Sequence, residues 1–446
     1  MTTPNLDAVC RFVGETADRS LPPAIRDLGK QCLVDWFAVS LAARPDAAPA
    51  AARGLVQQWA TSGRALNLYG DTGAAAPMAL VNGTLSHSVD YDDMHFGTAY
   101  HASGPTLAAT LAVATDRGCT ELELLGAFVA GYEVGTTMGG AGVGPRLAAA
   151  GWHPTGVLGH FSAASAAAAL LRLNSGQIAN ALGLAATQAG GLQASGGTMG
   201  KPFHVGKAAM NGVMAAELAS MGMDANTSLL DDAQGGMLGC LFQEPLLAHF
   251  DALGRAWQIE GNTFKPYASC QLSHAAHEAA RGMAEGFRRD GLREIRIHVN
   301  PLAKTVAGRQ RATSPMEGKF SNAFCVALGL KGYDADMSGF TDARIRDPEL
   351  QALTALARVH ASDSVERWQA RIELDYGEGG VVRGETRAVR GSPTQPLTWA
   401  DLDAKFLSAT ATILGDEAPR LLEALHDFEK PGRLAEVLQI IGRSRR

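Results

Sequence analysis

GHFSAASAAAALL, residues 159–171, and KAAMNGVMAAELA, residues 207–219, decide the fold class. Each is a helix-length run built almost wholly of small residues, with no β-branched alternation that would favour a strand. Short side chains on every face let helix backbones approach closely, the condition for a tightly packed, multi-layer helical bundle. Outward from these runs the same character continues. Residues 24–43 carry apolar side chains at helical spacing (Ile25, Leu28, Cys32, Trp36, Val39, Ala43), and residues 104–114, 121–135, 156–173, 177–188 and 206–221 behave alike. Glycines and turn residues separate them. The first 260 or so residues are therefore expected to be helical.

The pattern changes after about residue 265. EIRIHV, residues 294–299, alternates charged and branched side chains as a half-buried strand does. QARIELDY (369–376) and VVRGETRA (381–388) flank GEGG and read as a β-hairpin. Residues 319–330 and 348–359 read as helices between the strands, and helical text returns from residue 399. With 446 residues, more than one core is expected. The expected fold is mainly α with a second α+β part: a large helical bundle domain, residues 1–265 completed by 405–446, and a smaller α+β lid, residues 266–404.

Composition narrows the function. Hydrophobic residues are 46% and charged residues 19%, which is globular, and the net charge of -6 leaves no basic footprint for nucleic acid. The only basic run is Arg443, Arg445 and Arg446. No apolar stretch reaches the roughly 20 residues of a spanning helix, and no secretory signal is visible, so a cytoplasmic protein that binds neither membrane nor nucleic acid is expected. The six cysteines form no CxxC pair, which fits reduced thiols.

Four segments concentrate chemistry. VNGTLSHSVDYDDMHFGTAYHASGP, residues 81–105, holds His87, Asp90, Asp92, Asp93, His95 and His101 within fifteen positions. Were the helix to run to about residue 93, His87, Asp90 and Asp93 or Met94 would share a face. Two functional readings stay open beside a plain solvated loop: metal ligation, for which no HExxH signature is present, and general acid/base catalysis. GWHPTGVLG, residues 151–159, sets His153 before Pro154 at the start of a helix, where Thr155 or the preceding turn is the expected cap. An imidazole there is biased towards its neutral form.

GGTMGKPFHVG, residues 196–206, offers Lys201 and His204 beside a helix expected to begin near residue 207, a suitable carboxylate clamp. It is not a P-loop, because Pro202 follows Lys201. FKPYASCQLSHAAH, residues 264–277, supplies Lys265, Cys270, His274 and His277. His274 and His277 are spaced to share a helix face, and Cys270 reads as a nucleophile or, with nothing nearby to activate it, a buried thiol.

In this order and spacing the segments resemble the MmgE/PrpD family. The matching text is Asn82, Gly83, His87, Asp90 to Asp93 and His101; Gly151 to Thr155; Lys201 to Gly206; Lys265 to His274; and Lys319 to Ser321. The family includes 2-methylcitrate dehydratase, cis-aconitate decarboxylase and iminodisuccinate epimerase. The resemblance implies a helical domain with an α+β lid, a homodimer, no metal and no organic cofactor. It implies acid/base chemistry next to a carboxylate of a small di- or tricarboxylate. Asp90, His101 and His153 are the implied catalytic residues, and Lys201 and Lys265 the implied substrate-binding ones, with His204 beside Lys201. His87, Asp93, Cys270 and His274 are further candidates. The decarboxylase branch carries a Thr where Met94 aligns and one residue fewer between Asp90 and His101, whereas GTMGKPFHVG resembles the epimerase. Two other readings are a metal-dependent hydrolase built on His87, Asp90, Asp93, His95 and His101, and a non-catalytic dicarboxylate-binding protein.

Overall fold

The computed structural model describes residues 4–16, 19–228, 236–242 and 250–444. Six long helices frame the first part: α1 (Pro23–Ala42), α2 (Ala75–Ser88), α3 (Ser103–Arg117), α4 (Glu121–Gly139), α5 (Pro154–Leu170) and α6 (Gly200–Ser220). Helix α5 is the centre, packed against α3, α4 and α6, and nearly every one of its residues is buried. A helix with no solvent face needs no polar face, which is why its sequence shows no amphipathic stripe. Helices α2 and α6 touch through glycine: a Cβ on Gly83 would meet the Gly206 Cα at 2.8 Å, and one on Gly206 would strike Thr84. That close crossing fixes the end of α2 against the start of α6. Helix α4 begins at a capping box in which Thr120 and Glu123 exchange side-chain and backbone hydrogen bonds.

The second part carries a four-stranded mixed sheet of β1 (Glu294–Val299), β2 (Ala357–Ala361), β3 (Ala370–Asp375) and β4 (Val381–Thr386), in the order β2-β1-β3-β4. Strands β1 and β2 are parallel; the other pairs are antiparallel. Ile295, Ile297 and Val299 point inward and their neighbours outward, as the alternation in the sequence requires. The hairpin forms as expected, with Asp375 paired to Val381 and glycines at positive φ (Gly377, Gly380) between them. Helices α7 (His274–Arg281) and α8 (Asn322–Leu330) pack on each other, and α7 also lies on β3 and β4.

Helix α9 (Trp399–Leu414) lies on α1. Its Lys405 is buried and donates to Asp35 Oδ1 (2.6 Å), the Tyr91 carbonyl (2.7 Å) and the Lys265 carbonyl (3.0 Å). Further along, Lys30 donates to the His426 carbonyl and Arg44 to the Ser444 carbonyl, so the last residues are tied to the first helices.

Three local expectations are corrected. Helix α2 stops at Ser88 rather than near residue 93, so His87, Asp90 and Asp93 do not share a helix face. Helix α6 starts at Gly200, not near residue 207, which places Lys201 and His204 in its first turns. The helix expected over residues 348–359 ends at Leu356, and residues 357–361 form the edge strand β2; only Ala357 there is buried, so no alternation marks it. No helix among the described residues is long and apolar enough to cross a membrane.

Candidate active site

Once α2 ends, the chain turns sharply at Asp90, whose φ of 52° lies in the left-handed region. An Asp tolerates this conformation better than most side chains, and the turn separates acids that a continuing helix would have stacked. Around the turn lie three lysines from three distant segments. Lys201 Nζ is 2.7 Å from Asp90 Oδ1. Lys265 Nζ donates to the same oxygen at 3.1 Å and to the Asp90 carbonyl at 2.9 Å. Lys319 Nζ donates to the Val89 carbonyl. Burial works against an ionised Asp90, but Lys201 and Lys265 outweigh it and hold the carboxyl well below its ordinary value. Burial, helped by Lys265 and Lys201, brings the Lys319 ammonium down to about 8 despite Asp90.

Two residues on, Asp92 faces imidazoles instead. His87 Nδ1 is 2.7 Å and His101 Nδ1 3.1 Å from Asp92 Oδ2. Burial favours the neutral carboxyl, yet His87 and His101 keep Asp92 well below its usual range. The His87 ring lies edge-on to His101 (4.6 Å) and stacks on His153 (5.5 Å). Burial lowers His87 to about 3, against the pull of Asp92, and holds His153 far below its ordinary value, with Lys201 adding to the effect. Both rings are neutral at physiological pH.

His153 occupies the position before α5 without capping it by its side chain. Thr155 is not a cap either: its Oγ1 accepts from the His101 backbone N–H at 3.2 Å, tying the two histidine segments together. His204 is not among the residues that line the cavity beside Lys201. Its Nδ1 is 3.3 Å from His153 Nδ1, so it supports that ring.

Asp90, His101, His153, Lys201, Lys265 and Cys270 all line one cavity of ≈ 90 Å³, which shares His153, Gln193, Lys201, Val306 and Phe320 with an outer cleft of ≈ 550 Å³. The helical part supplies the histidines and Lys201; residues 270–272, Phe320, Arg367 and Trp368 close the far wall. Burial and Asp90 push the Cys270 thiol up in spite of Lys265, so it is no thiolate at neutral pH.

The remaining candidates lie behind this cavity. Asp93 accepts from Ser103 (2.5 Å) and Asn262 (2.8 Å), and burial beside Asp35 raises it to about 7. His274 Nε2 pairs with the Ser269 carbonyl, and burial, with Lys265 nearby, lowers the ring to about 3. His274 and His277 do share a face, packed on the ring of Tyr267.

The five-residue metal set does not converge: Asp90 faces lysines, Asp93 faces Ser103 and Asn262, and His95 sits on Thr98 at 2.9 Å. His87, Asp92 and His101 do bring ligand atoms within 4.8 Å of one another. Two donors tetrahedrally bound at about 2.0–2.1 Å would stand roughly 3.3 Å apart. The 2.7 Å between His87 and Asp92 is a hydrogen bond instead.

Sequence patterning does not single out Asp92 as the shared partner of two histidines, Lys319 as the third cation, or Gln193, Gln271 and Arg367 as wall residues. Lys319 has a signal in the KFS match. The two glutamines and Arg367 stand in unremarkable text, and only the tertiary structure gathers them.

The MmgE/PrpD N-terminal domain matches residues 7–247, and the MmgE/PrpD C-terminal domain matches residues 267–429. The chain belongs to the MmgE/PrpD family. Among relatives of this MmgE/PrpD enzyme is a cis-aconitate decarboxylase-like protein of Aspergillus oryzae, 25% identical over 97% of this chain and 96% of that one. A cis-aconitate decarboxylase of Aspergillus terreus is 28% identical over 70% of each chain. The human cis-aconitate decarboxylase is 24% identical over 81% of this chain and 79% of its own.

Proposed function

We propose that this MmgE/PrpD enzyme moves a proton on or off the carbon next to a carboxylate of a small di- or tricarboxylate. The observation that carries this reading is one cavity lined by both an imidazole and two lysines. In it His101, backed by the buried Asp92, stands beside Lys201 and Lys265, which present ammonium groups. A proton at such a carbon is weakly acidic, because its loss makes an enolate-like dianion. Fixed cations at the developing charge lower that barrier more than they stabilise the ground state.

His101 is the base in this proposal. Its Nδ1 is turned to Asp92, which leaves Nε2 as the ring nitrogen for substrate. Asp90, clamped by two lysines and held far below the usual range, is a poor base and positions the cations. His153, neutral and supported by His204, donates to a leaving hydroxyl or returns a proton. From the dianion, expulsion of a neighbouring hydroxide, protonated to water, gives dehydration, and return of a proton to the other face gives epimerisation. In decarboxylation no proton is removed first, and loss of carbon dioxide itself leaves the electron pair in a like dianion, which then captures one proton. The relatives' names favour a tricarboxylate such as cis-aconitate. Met94, which aligns with a Thr of the decarboxylase branch, lines the cavity and makes one wall more apolar. This chemistry needs neither metal nor organic cofactor, and in it residues 266–404 act as a lid on a unit of residues 1–265 and 405–446.

The test is a proton NMR time course in deuterated water with cis-aconitate, citrate, methylcitrate and iminodisuccinate. The expected result is turnover or deuterium exchange of at least one acid, insensitive to chelation. Inertness towards all four, or activity only with stoichiometric metal, would refute it.

A further inference from the structure

The inner cavity is electrostatically unbalanced. Its walls carry one carboxylate, Asp90, and three cations, Lys201, Lys265 and Arg367. Asp90 satisfies both lysines. Arg367 has no carboxylate within ion-pair distance among the described residues, and its Nε is buried without a hydrogen-bond partner. A guanidinium cannot escape this cost by losing its proton, and a buried N–H without an acceptor is expensive.

The placement is held firmly. Arg367 lies in the turn between β2 and β3, which is pinned by Ser362 N–H to the Val299 carbonyl (2.9 Å) and Gln369 N–H to the Glu366 carbonyl (3.0 Å). Asn300 reaches in to the Val365 carbonyl (3.2 Å), and Val365 is buried. The guanidinium lies over the Trp368 ring at 4.5 Å, and that ring packs on Phe96 at 4.7 Å. Phe96 belongs to the histidine segment of the helical part, so this contact seats the lid turn on the site.

We propose that Arg367 is a specificity-determining residue that binds a substrate carboxylate remote from the reacting carbon, making the enzyme select polycarboxylates with a third anionic arm. This deepens the function proposed above and rests on it. The lysines are committed to the wall that carries Asp90, where the reacting carboxylate is activated. A planar fork lining the same cavity, and not engaged by Asp90, is shaped to take a second carboxylate through two parallel N–H···O bonds. Substrate would supply the missing counter-charge and hold lid and helical part together through the Trp368–Phe96 contact.

The experiment uses the full chain and two probes, cis-aconitate and citraconate, the second carrying a methyl group where the first carries a carboxymethyl arm. Affinities are measured by calorimetry for wild type, Arg367→Gln and Arg367→Met; the methionine keeps an apolar stem over Trp368. Both variants are expected to weaken cis-aconitate at least tenfold and citraconate less than threefold. The melting temperature without ligand should stay level or rise, since an unpaired cation has been removed. Equal losses on both acids, or no loss on either, would overturn the assignment of Arg367 while leaving the proposed chemistry standing. A wild type that binds neither acid would also overturn this inference, while the proposed chemistry falls only if the four-acid time course refutes it.

Discussion

Asp90 and Asp92 stand two residues apart, are both buried, and gather different partners. Asp90 gathers lysines from residues 201 and 265; Asp92 gathers histidines from residues 87 and 101. Both are held ionised against burial, one by ammonium groups and one by imidazoles. The difference is one of proton traffic. An ammonium pair fixes negative charge, whereas an imidazole on a carboxylate keeps a second ring nitrogen free to exchange a proton. Asp93, the third acid of the same stretch, has neither kind of partner and is raised to about 7. One tetrapeptide thus gives three acids three different sets of partners, lysines, histidines and neutral donors, after a left-handed turn at Asp90.

The largest expected effect comes from the imidazole half. His101→Asn should lower kcat by about 10²–10⁴, the usual contribution of a general base, with KM within a few-fold of wild type. Steady-state kinetics checks it, and a rise in KM at constant kcat would move His101 to the binding half.

Asp93→Asn sharpens the contrast with the two ionised acids. A carboxyl raised to about 7 contributes stability fully only below its ordinary pKa, near 3.9, and loses it as pH rises through 7. The wild type should therefore lose stability relative to Asp93→Asn between pH 5 and 8, by at most about 3 kcal/mol at ~1.4 kcal/mol per unit. Denaturant melts at the two pH values measure this, and parallel pH dependence in the two proteins would contradict it. Glu133, also raised to about 7 by burial, adds the same trend to both proteins and cancels in the difference.

On the lysine half, Lys201→Ala and Lys265→Ala should each weaken polycarboxylate binding by about 1.5–3 kcal/mol. Lys265→Ala should also lower stability more than Lys201→Ala, because Lys265 is the deeper of the two and holds both the side chain and the carbonyl of Asp90. Titration with cis-aconitate and a thermal melt check both statements. Wild-type affinity in either variant removes that lysine from the site.

The smallest effect tests the supporting layer. His204→Ala should reduce kcat less than tenfold, whereas His153→Gln should abolish turnover with little change in melting temperature. A His204 effect as large as that of His153 would make both rings reacting groups.

Much of this architecture is legible in the amino-acid sequence. The small-residue runs give the helical bundle because they have no polar face to expose, and EIRIHV and the GEGG hairpin mark the sheet by alternation and glycine. Strand β2 is not legible, because ARVHA is exposed at an edge and buries only Ala357. Within the site, Asp90, His101, His153, Lys201 and Lys265 stand in motif-like text and converge on one cavity. His204 and His274 stand in equally motif-like text but lie one layer further back. Their positions depend on where α6 begins and how Tyr267 packs, neither of which periodicity reports. Arg367 has no local signal at all; its meaning lies in an unbalanced charge visible only when distant segments meet.

The division of labour between the two halves is tested most directly by deuterium incorporation from solvent, followed by NMR with the best acid of the panel at saturating concentration. Wild type should place deuterium on the carbon next to a carboxylate, and Lys201→Ala should retain measurable incorporation once saturated. His101→Asn should slow incorporation at least a hundredfold. Incorporation at the wild-type rate in His101→Asn would contradict the assignment of proton transfer to the Asp92–His101 wall.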